Sequence, residues 1–303
     1  RLALSCGAGP LLGVLGQVPG LRSTCDKLED AFGGRVCPMS FDAAECDPFV
    51  LLVHHRHAFR PLDFLRPIFS AVIMPEGFPA HPHRGFETVT YLLDGGMKHA
   101  DSAGNSGDLN PGDVQWMTAG RGVIHSELPQ DHMMENGGRM HGFQIWVNLP
   151  AKDKMMLPRY QDIPSSDIPE TTSDDGLVWA KVVAGKAFDV EAVIDTVIPI
   201  TMIHVKMKAG ATYTHACVHD HNVMLYAFGG SLAVEGRSLH DGGLGLLSEG
   251  DTVTMVAEED GAELLILGGP ELGEPIARYG PFVMNTRQEI YQAIEDYNNG
   301  TLA

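Results

Sequence analysis

From Phe49 onward the chain repeats one pattern, a short run of β-branched, aromatic or other apolar residues followed by a cluster of Gly, Pro, Asp or Asn. Thr88 to Leu93 runs into Asp94-Gly95-Gly96, Val114 to Thr118 follows Pro111-Gly112-Asp113, and Phe143 to Val147 runs into Asn148-Leu149-Pro150. Segments this short, punctuated this regularly, match the strands of antiparallel sandwiches or barrels. The chain is therefore expected to be all-β. One departure lies near the C-terminus, where Thr286 and Glu289 form a capping-box pair and Ile290, Ile294 and Tyr297 recur at helical spacing. A helix of about three turns should rest that stripe on a sheet.

The pattern also repeats at long range. A strand ending at Gly95-Gly96 and a Gly112-Asp113 turn before Val114-Gln115-Trp116-Met117 have counterparts in Gly229-Gly230 and in Gly250-Asp251 before Thr252-Val253-Thr254-Met255. Two similar antiparallel barrels in tandem follow, with the acidic, Pro- and Ser-containing stretch Gln161 to Gly176 as connector. The expected division is an N-terminal extension over 1–35, a first barrel over 36–165, and a second barrel over 166–303 that carries the terminal helix.

Charge narrows the partners. The chain carries 21 Lys and Arg against 39 Asp and Glu; residues 1–165 hold 14 basic and 18 acidic side chains, leaving 7 and 21 for residues 166–303. Such a second half repels a phosphate backbone, so direct nucleic-acid binding is not expected, and a role on a transcription complex would need a protein partner. Gly, Pro or a charge interrupts every hydrophobic stretch before the length of a membrane-spanning helix, so no membrane partner is expected. Cys6, Cys25, Cys37, Cys46 and Cys217 are odd in number and contain no CxxC pair, which reads as reduced thiols of the cytoplasm or nucleus. Up to Cys25 there are Arg1 and Arg22, no acid, and many Gly, Leu and Ser, a composition compatible with part of an organelle transit peptide or a disordered start.

The chemistry concentrates in two short strings. His81 and His83 stand two residues apart in His81-Pro82-His83-Arg84-Gly85-Phe86-Glu87, and His125-Ser126-Glu127 repeats the spacing with a carboxylate. On extended backbone, residues i and i+2 share a face, so two such strands can close four donors around one cation. Three imidazoles and a carboxylate suit Fe(II), Mn(II), Ni(II), Cu(II) or Zn(II) rather than calcium or magnesium. Either pair alone is as well explained by ordinary core or surface histidines, as His54, His55 and His57 illustrate; the two together point to a metal.

The strings HPHRGFETVTYLLDGG from His81, NPGDVQWMTAGRGVIHSE from Asn110, FQIWVNLP from Phe143 and GPFVMNT from Gly280 closely resemble the pirin family of the cupin superfamily, with similarity running from about Asp47 to the terminal helix. The resemblance implies a bicupin in which the N-terminal barrel alone holds one Fe(II), with other divalent transition metals as substitutes. The family's ligands fall on His81, His83, His125 and Glu127, the four that strand parity selects. Glu87 stands where many other cupins place a carboxylate ligand and is assigned to orienting a ligand or a bound water. Phe86, Trp116, Met117, Gln144 and Trp146 are candidates for the substrate wall.

Two functions follow from that resemblance. Some pirins are similar to flavonol (quercetin) 2,3-dioxygenases, which open the substrate's central ring with both atoms of O2 and release carbon monoxide; Glu127, or Glu87 beside it, would take the substrate's hydroxyl proton. Others resemble iron-dependent redox sensors that act on a transcription factor without catalysis, using the same four ligands. A metal-free, epimerase-like barrel is a third class. In the second half, His215, Cys217, His219 and His221 cluster before the strand Val223 to Phe228, and a shift of 134 residues superposes His215, Cys217 and His221 on His81, His83 and Glu87. No counterpart of the His125 and Glu127 pair accompanies them, so a degenerate barrel with exposed loop histidines is expected, a weaker second metal site being the alternative.

Overall fold

Alternation of buried and less buried residues, the signature of strands covered on one side, is clearest in Val123–Pro129, where every second residue is buried. The computed structural model describes residues 2–5, 34–59 and 77–303. Among these, one compact unit comprises 34–40, 51–59, 77–165 and 274–303, and the other comprises 2–5, 41–50 and 166–273.

The first unit is built on a six-stranded antiparallel sheet in the order Arg159–Ile163, Val114–Thr118, Phe86–Asp94, Gly138–Asn148, Phe49–Phe59 and Gly34–Ser40. A four-stranded sheet accompanies it, in the order Phe78–His83, Val123–Pro129, Met97–Asp101 and Ser106–Leu109. Register decides which side chains share a face. Thr88 pairs with both Trp146 and Met117, and Thr90 with Gln144 and Gln115, so these share one face with Phe86. Glu87, Val89, Trp116, Thr118, Ile145 and Val147 alternate onto the other. Both faces are buried. The first carries Thr and Gln among its aromatics, as a site needs, while the second mixes Val89, Ile145 and Val147 with Trp116, Thr118 and Glu87.

The terminal helix forms as expected over Arg287–Asn298, with Thr286 and Glu289 making both capping-box bonds. Its buried stripe centres on Ile290 and Ala293, with Ile294 half-buried and Tyr297 exposed, a narrower stripe than expected. It packs with Phe282, Met284, Leu302 and Ile124 in the first unit, rather than in a second barrel bounded at residue 166. The Gln161 to Gly176 connector contains strand at two places: Arg159–Ile163 extends the first unit's sheet, Glu170–Thr172 pairs in the second unit, and the change of unit falls between Ser165 and Ser166. Of the stretch set apart as an extension, Leu2–Ser5 is a strand paired with Gly243–Leu246; residues 6–33 lie outside the described residues.

The second unit contains a nine-stranded antiparallel sheet system. Its two long strands, His221–Val234 and Thr252–Pro270, pair with register breaks after Ala227 and Gly230, and these breaks allow one pair to bend. The interior is apolar, built on Val182, Ile203, Val205, Leu225, Leu264 and Ile266, each contributing about 1.5–3 kcal/mol of burial.

Candidate metal centre

His81 and His125 face each other across the pairing of Phe78–His83 with Val123–Pro129, and His83 projects on the same side two residues on. The Nε2 atoms of His81 and His125 are 3.1 Å apart, and the three ring centroids are separated by 4.5 to 4.9 Å. One nitrogen from each ring lies within 4.8 Å of the others. His83 and His125 are buried and His81 is half-buried.

The protonation states favour ligation. His81 Nδ1 donates to the Pro79 carbonyl at 2.8 Å, which leaves Nε2 as the nitrogen turned toward the cluster. Neither nitrogen of His83, nor Nδ1 of His125, has a hydrogen-bond partner. Burial, reinforced by His125 and His81, holds His83 well below the ordinary histidine pKa, against a small opposing effect of the Pro281 carbonyl. Burial likewise depresses His125, with Glu127 working the other way. Buried neutral imidazoles with bare nitrogens are costly in a protein core, about 1–3 kcal/mol for each unsatisfied group. A cation held by one nitrogen of each ring would satisfy one of the two bare nitrogens of His83.

Glu127 lies beside the triad, its Oε2 3.8 Å from His125 Nε2. Thr90 Oγ1 donates to Oε1 at 2.9 Å and Gln144 Nε2 donates to Oε2 at 2.7 Å, fixing the carboxylate as an acceptor. Trp146 Nε1 donates in turn to Gln144 Oε1 at 3.4 Å. Phe86 and Trp146 set their rings edge-on to His83, with centroids 5.1 and 5.4 Å away. Phe86, Gln144, Trp146 and Met117 thus occupy the face that carries the site. Trp116 and Glu87 do not. Each alternates onto the opposite face, and the Glu87 carboxylate accepts from Thr118 Oγ1 at 2.6 Å. The expectation that these two line or tune the centre is corrected by strand parity.

Sequence reasoning passed over Thr90, although its even spacing from Phe86 in the same strand carried the signal. It also passed over Asp101 and His99, which pair across strands with His125 and Glu127 and so share their face. His99 Nε2 lies 3.4 Å from Asp162 Oδ2, and Gln115 Nε2 donates to the other Asp162 oxygen at 2.9 Å. Against Thr90 and Gln144, a cavity of about 10 Å³, no more than about one water's space, is lined by His55, Phe78, Leu92, Met97 and Met140 among others.

The second unit departs from a metal site. His215 lies on the strand Thr212–Ala216, is 4% exposed, and meets the Tyr213 hydroxyl through Nδ1 at 3.1 Å. His219 is exposed and bonds Asp251, while Cys217 and His221 are half-buried. Among the described residues, the His81, His83 and His125 group is the one metal-compatible cluster. Exposed loop histidines therefore describe His219 but not His215, which strand pairing turns inward. Burial pushes the His215 pKa down to about 4. A depressed histidine favours folding fully above its unfolded value near 6.5, and the advantage is lost as pH falls toward the folded value. The stability difference between wild type and His215→Phe should shift against the wild type by up to about 3 kcal/mol between pH 7 and pH 4, read from urea unfolding. A pH-independent difference would show that His215 titrates normally.

Comparisons with known proteins agree with this architecture. The Pirin family model matches residues 35–147, and the Pirin C-terminal cupin domain model matches residues 202–303. A Pseudomonas aeruginosa protein named "Putative quercetin 2,3-dioxygenase" is 46% identical over 235 residues, 75% of this chain and 80% of that protein. Human pirin is 38% identical over 231 residues, 74% of this chain and 77% of its own. The crystal structure of a quercetin 2,3-dioxygenase from Acinetobacter baumannii superposes with a TM-score of 0.80 at 35% identity, covering 89% of this chain and 92% of that one. Family models matched across both halves, and relatives 38% and 46% identical over three quarters of the chain, make this chain a member of the pirin family, within the cupin fold.

Proposed function

We propose that this protein is a metal-dependent oxygenase of the flavonol 2,3-dioxygenase type, with Fe(II) held by His81, His83, His125 and Glu127. The observation that carries the reading is the convergence of three imidazoles, two of them buried with bare nitrogens. Nitrogen-rich donors with one carboxylate fit Fe(II), and Mn(II), Ni(II) or Cu(II) could substitute. When bound, such a cation supplies Lewis acidity toward the substrate hydroxyl and access to O2.

The chain's own residues supply the rest. Glu127 accepts the proton of the flavonol hydroxyl, and Thr90 and Gln144 hold its oxygens in place for that transfer. Pro79 fixes the tautomer of His81. The rings of Phe86 and Trp146 pack against His83 and keep water from that side.

Protein loaded with Fe(II) under anaerobic conditions, then mixed with quercetin and O2, should consume both and release carbon monoxide with the ring-opened ester. Absence of turnover with the metal intact would remove the enzyme reading and favour a redox sensor acting through a protein partner.

A further inference from the structure

His81 is oriented by its own hydrogen bond, whereas neither nitrogen of His83 has a well-formed one and only the Pro281 carbonyl acts on its ring, so the ring's angle comes from backbone, packing and that segment. That backbone is held from behind by the C-terminal segment. Arg84 follows His83 directly and is a buried cation, 4% exposed. Its Nη1 donates to Asp296 Oδ2 in the terminal helix at 2.7 Å, and its Nε donates to the Arg121 carbonyl. The Arg84 amide donates to the Pro281 carbonyl at 3.4 Å, and the Val283 amide donates to the Arg84 carbonyl at 3.1 Å. Lys154, also buried, extends the same attachment by donating to the carbonyls of Gly85 at 2.7 Å and Val283 at 3.0 Å. The other ligand strand is attached as well, because Ile124, beside His125, packs with Phe282, Ile290 and Leu302.

We propose that Arg84 and Asp296 are positioning residues for the metal centre, an ion pair between a buried guanidinium and a half-buried carboxylate through which the terminal helix sets how His83 meets the other two imidazoles. The inference rests on the metal-binding reading above. Carrying ligand and cation on adjacent residues means that a shift of the Arg84 side chain is passed to His83 within one peptide unit. Partners one step removed from a ligand typically change metal affinity by about 10- to 100-fold.

Asp296→Asn keeps the shape of the side chain and removes its charge. Ni(II) affinity by chelator competition should fall about tenfold or more, and the visible spectrum of the Co(II)-loaded protein should shift, with Asp296→Glu restoring both in large part. Arg84→Lys keeps a cation but loses the Nε bond to Arg121 and should act like Asp296→Asn. Thr286→Ala loosens the same helix at its cap without touching Arg84; it should lower the thermal midpoint while leaving Ni(II) affinity and the Co(II) spectrum as in wild type. Wild-type affinity and spectrum in both Asp296→Asn and Arg84→Lys would overturn the proposal, as would equal losses in Thr286→Ala. Wild-type protein that binds neither ion would instead overturn the metal reading itself, and so both.

Discussion

His125→Ala is expected to abolish stoichiometric metal binding while leaving the second unit folded. His125 is the middle donor: its Nε2 is 3.1 Å from that of His81 and 3.8 Å from Glu127 Oε2. Its loss breaks the arc on which the other donors close and should exceed the about 10- to 100-fold effect of removing an outer partner. Stability should respond differently. The wild-type ring is buried with an unsatisfied Nδ1, so truncation relieves a desolvated polar group while opening a cavity. The two effects oppose, about 1–3 kcal/mol for the polar group against a similar or larger cost for the cavity. Elemental analysis after Fe(II) reconstitution, with near-ultraviolet circular dichroism of the metal-free protein, separates binding from folding. Full metal occupancy in His125→Ala would contradict the ligand set.

The second large effect should come from a residue with no donor atom in its side chain. Gly85 turns the chain between Phe78–His83 and Phe86–Asp94 at φ +88°, and a Cβ there would overlap the Val283 carbonyl oxygen and lie 2.7 Å from Met284 Sδ. Positive φ for a non-glycine residue costs about 1–3 kcal/mol, and overpacking against backbone about 1–3 kcal/mol more. Gly85→Ala should therefore lose roughly 3–5 kcal/mol, a large share of a domain's total stability, and lower the thermal midpoint by about 10 °C. It should also weaken metal binding, because the Lys154 bonds to Gly85 and Val283 span the same contact. A midpoint within a degree or two of wild type would mean that this turn is not packed against residues 282–284 as described.

Much of this was legible in the sequence because strands have a period of two. His81 with His83 and His125 with Glu127 needed only that period to be placed on shared faces, and Thr286 with Glu289 needed only the local rule for a helix start. The misplacement of Glu87 and Trp116 came from reading them by motif neighbourhood; the same period, applied from Phe86 and Met117, puts both on the far face. What the sequence did not disclose was long-range. Asp296 lies 212 residues from Arg84. Nothing near either residue announces the other, and the assignment of the terminal helix to the second barrel followed chain order where packing follows the apolar stripe of Ile290 and Ala293. The inward turn of His215 was hidden for a related reason, since its burial depends on the strand it pairs with and not on its neighbours His219 and His221.

Anomalous diffraction at the metal edge, from crystals loaded anaerobically with Fe(II), tests the central claim most directly. It should show one ion in the first unit with nitrogen donors from His81, His83 and His125 and an oxygen from Glu127, each at about 2.0–2.3 Å. An anomalous peak elsewhere in the chain, or an ion held by fewer than three of those imidazoles, would contradict it.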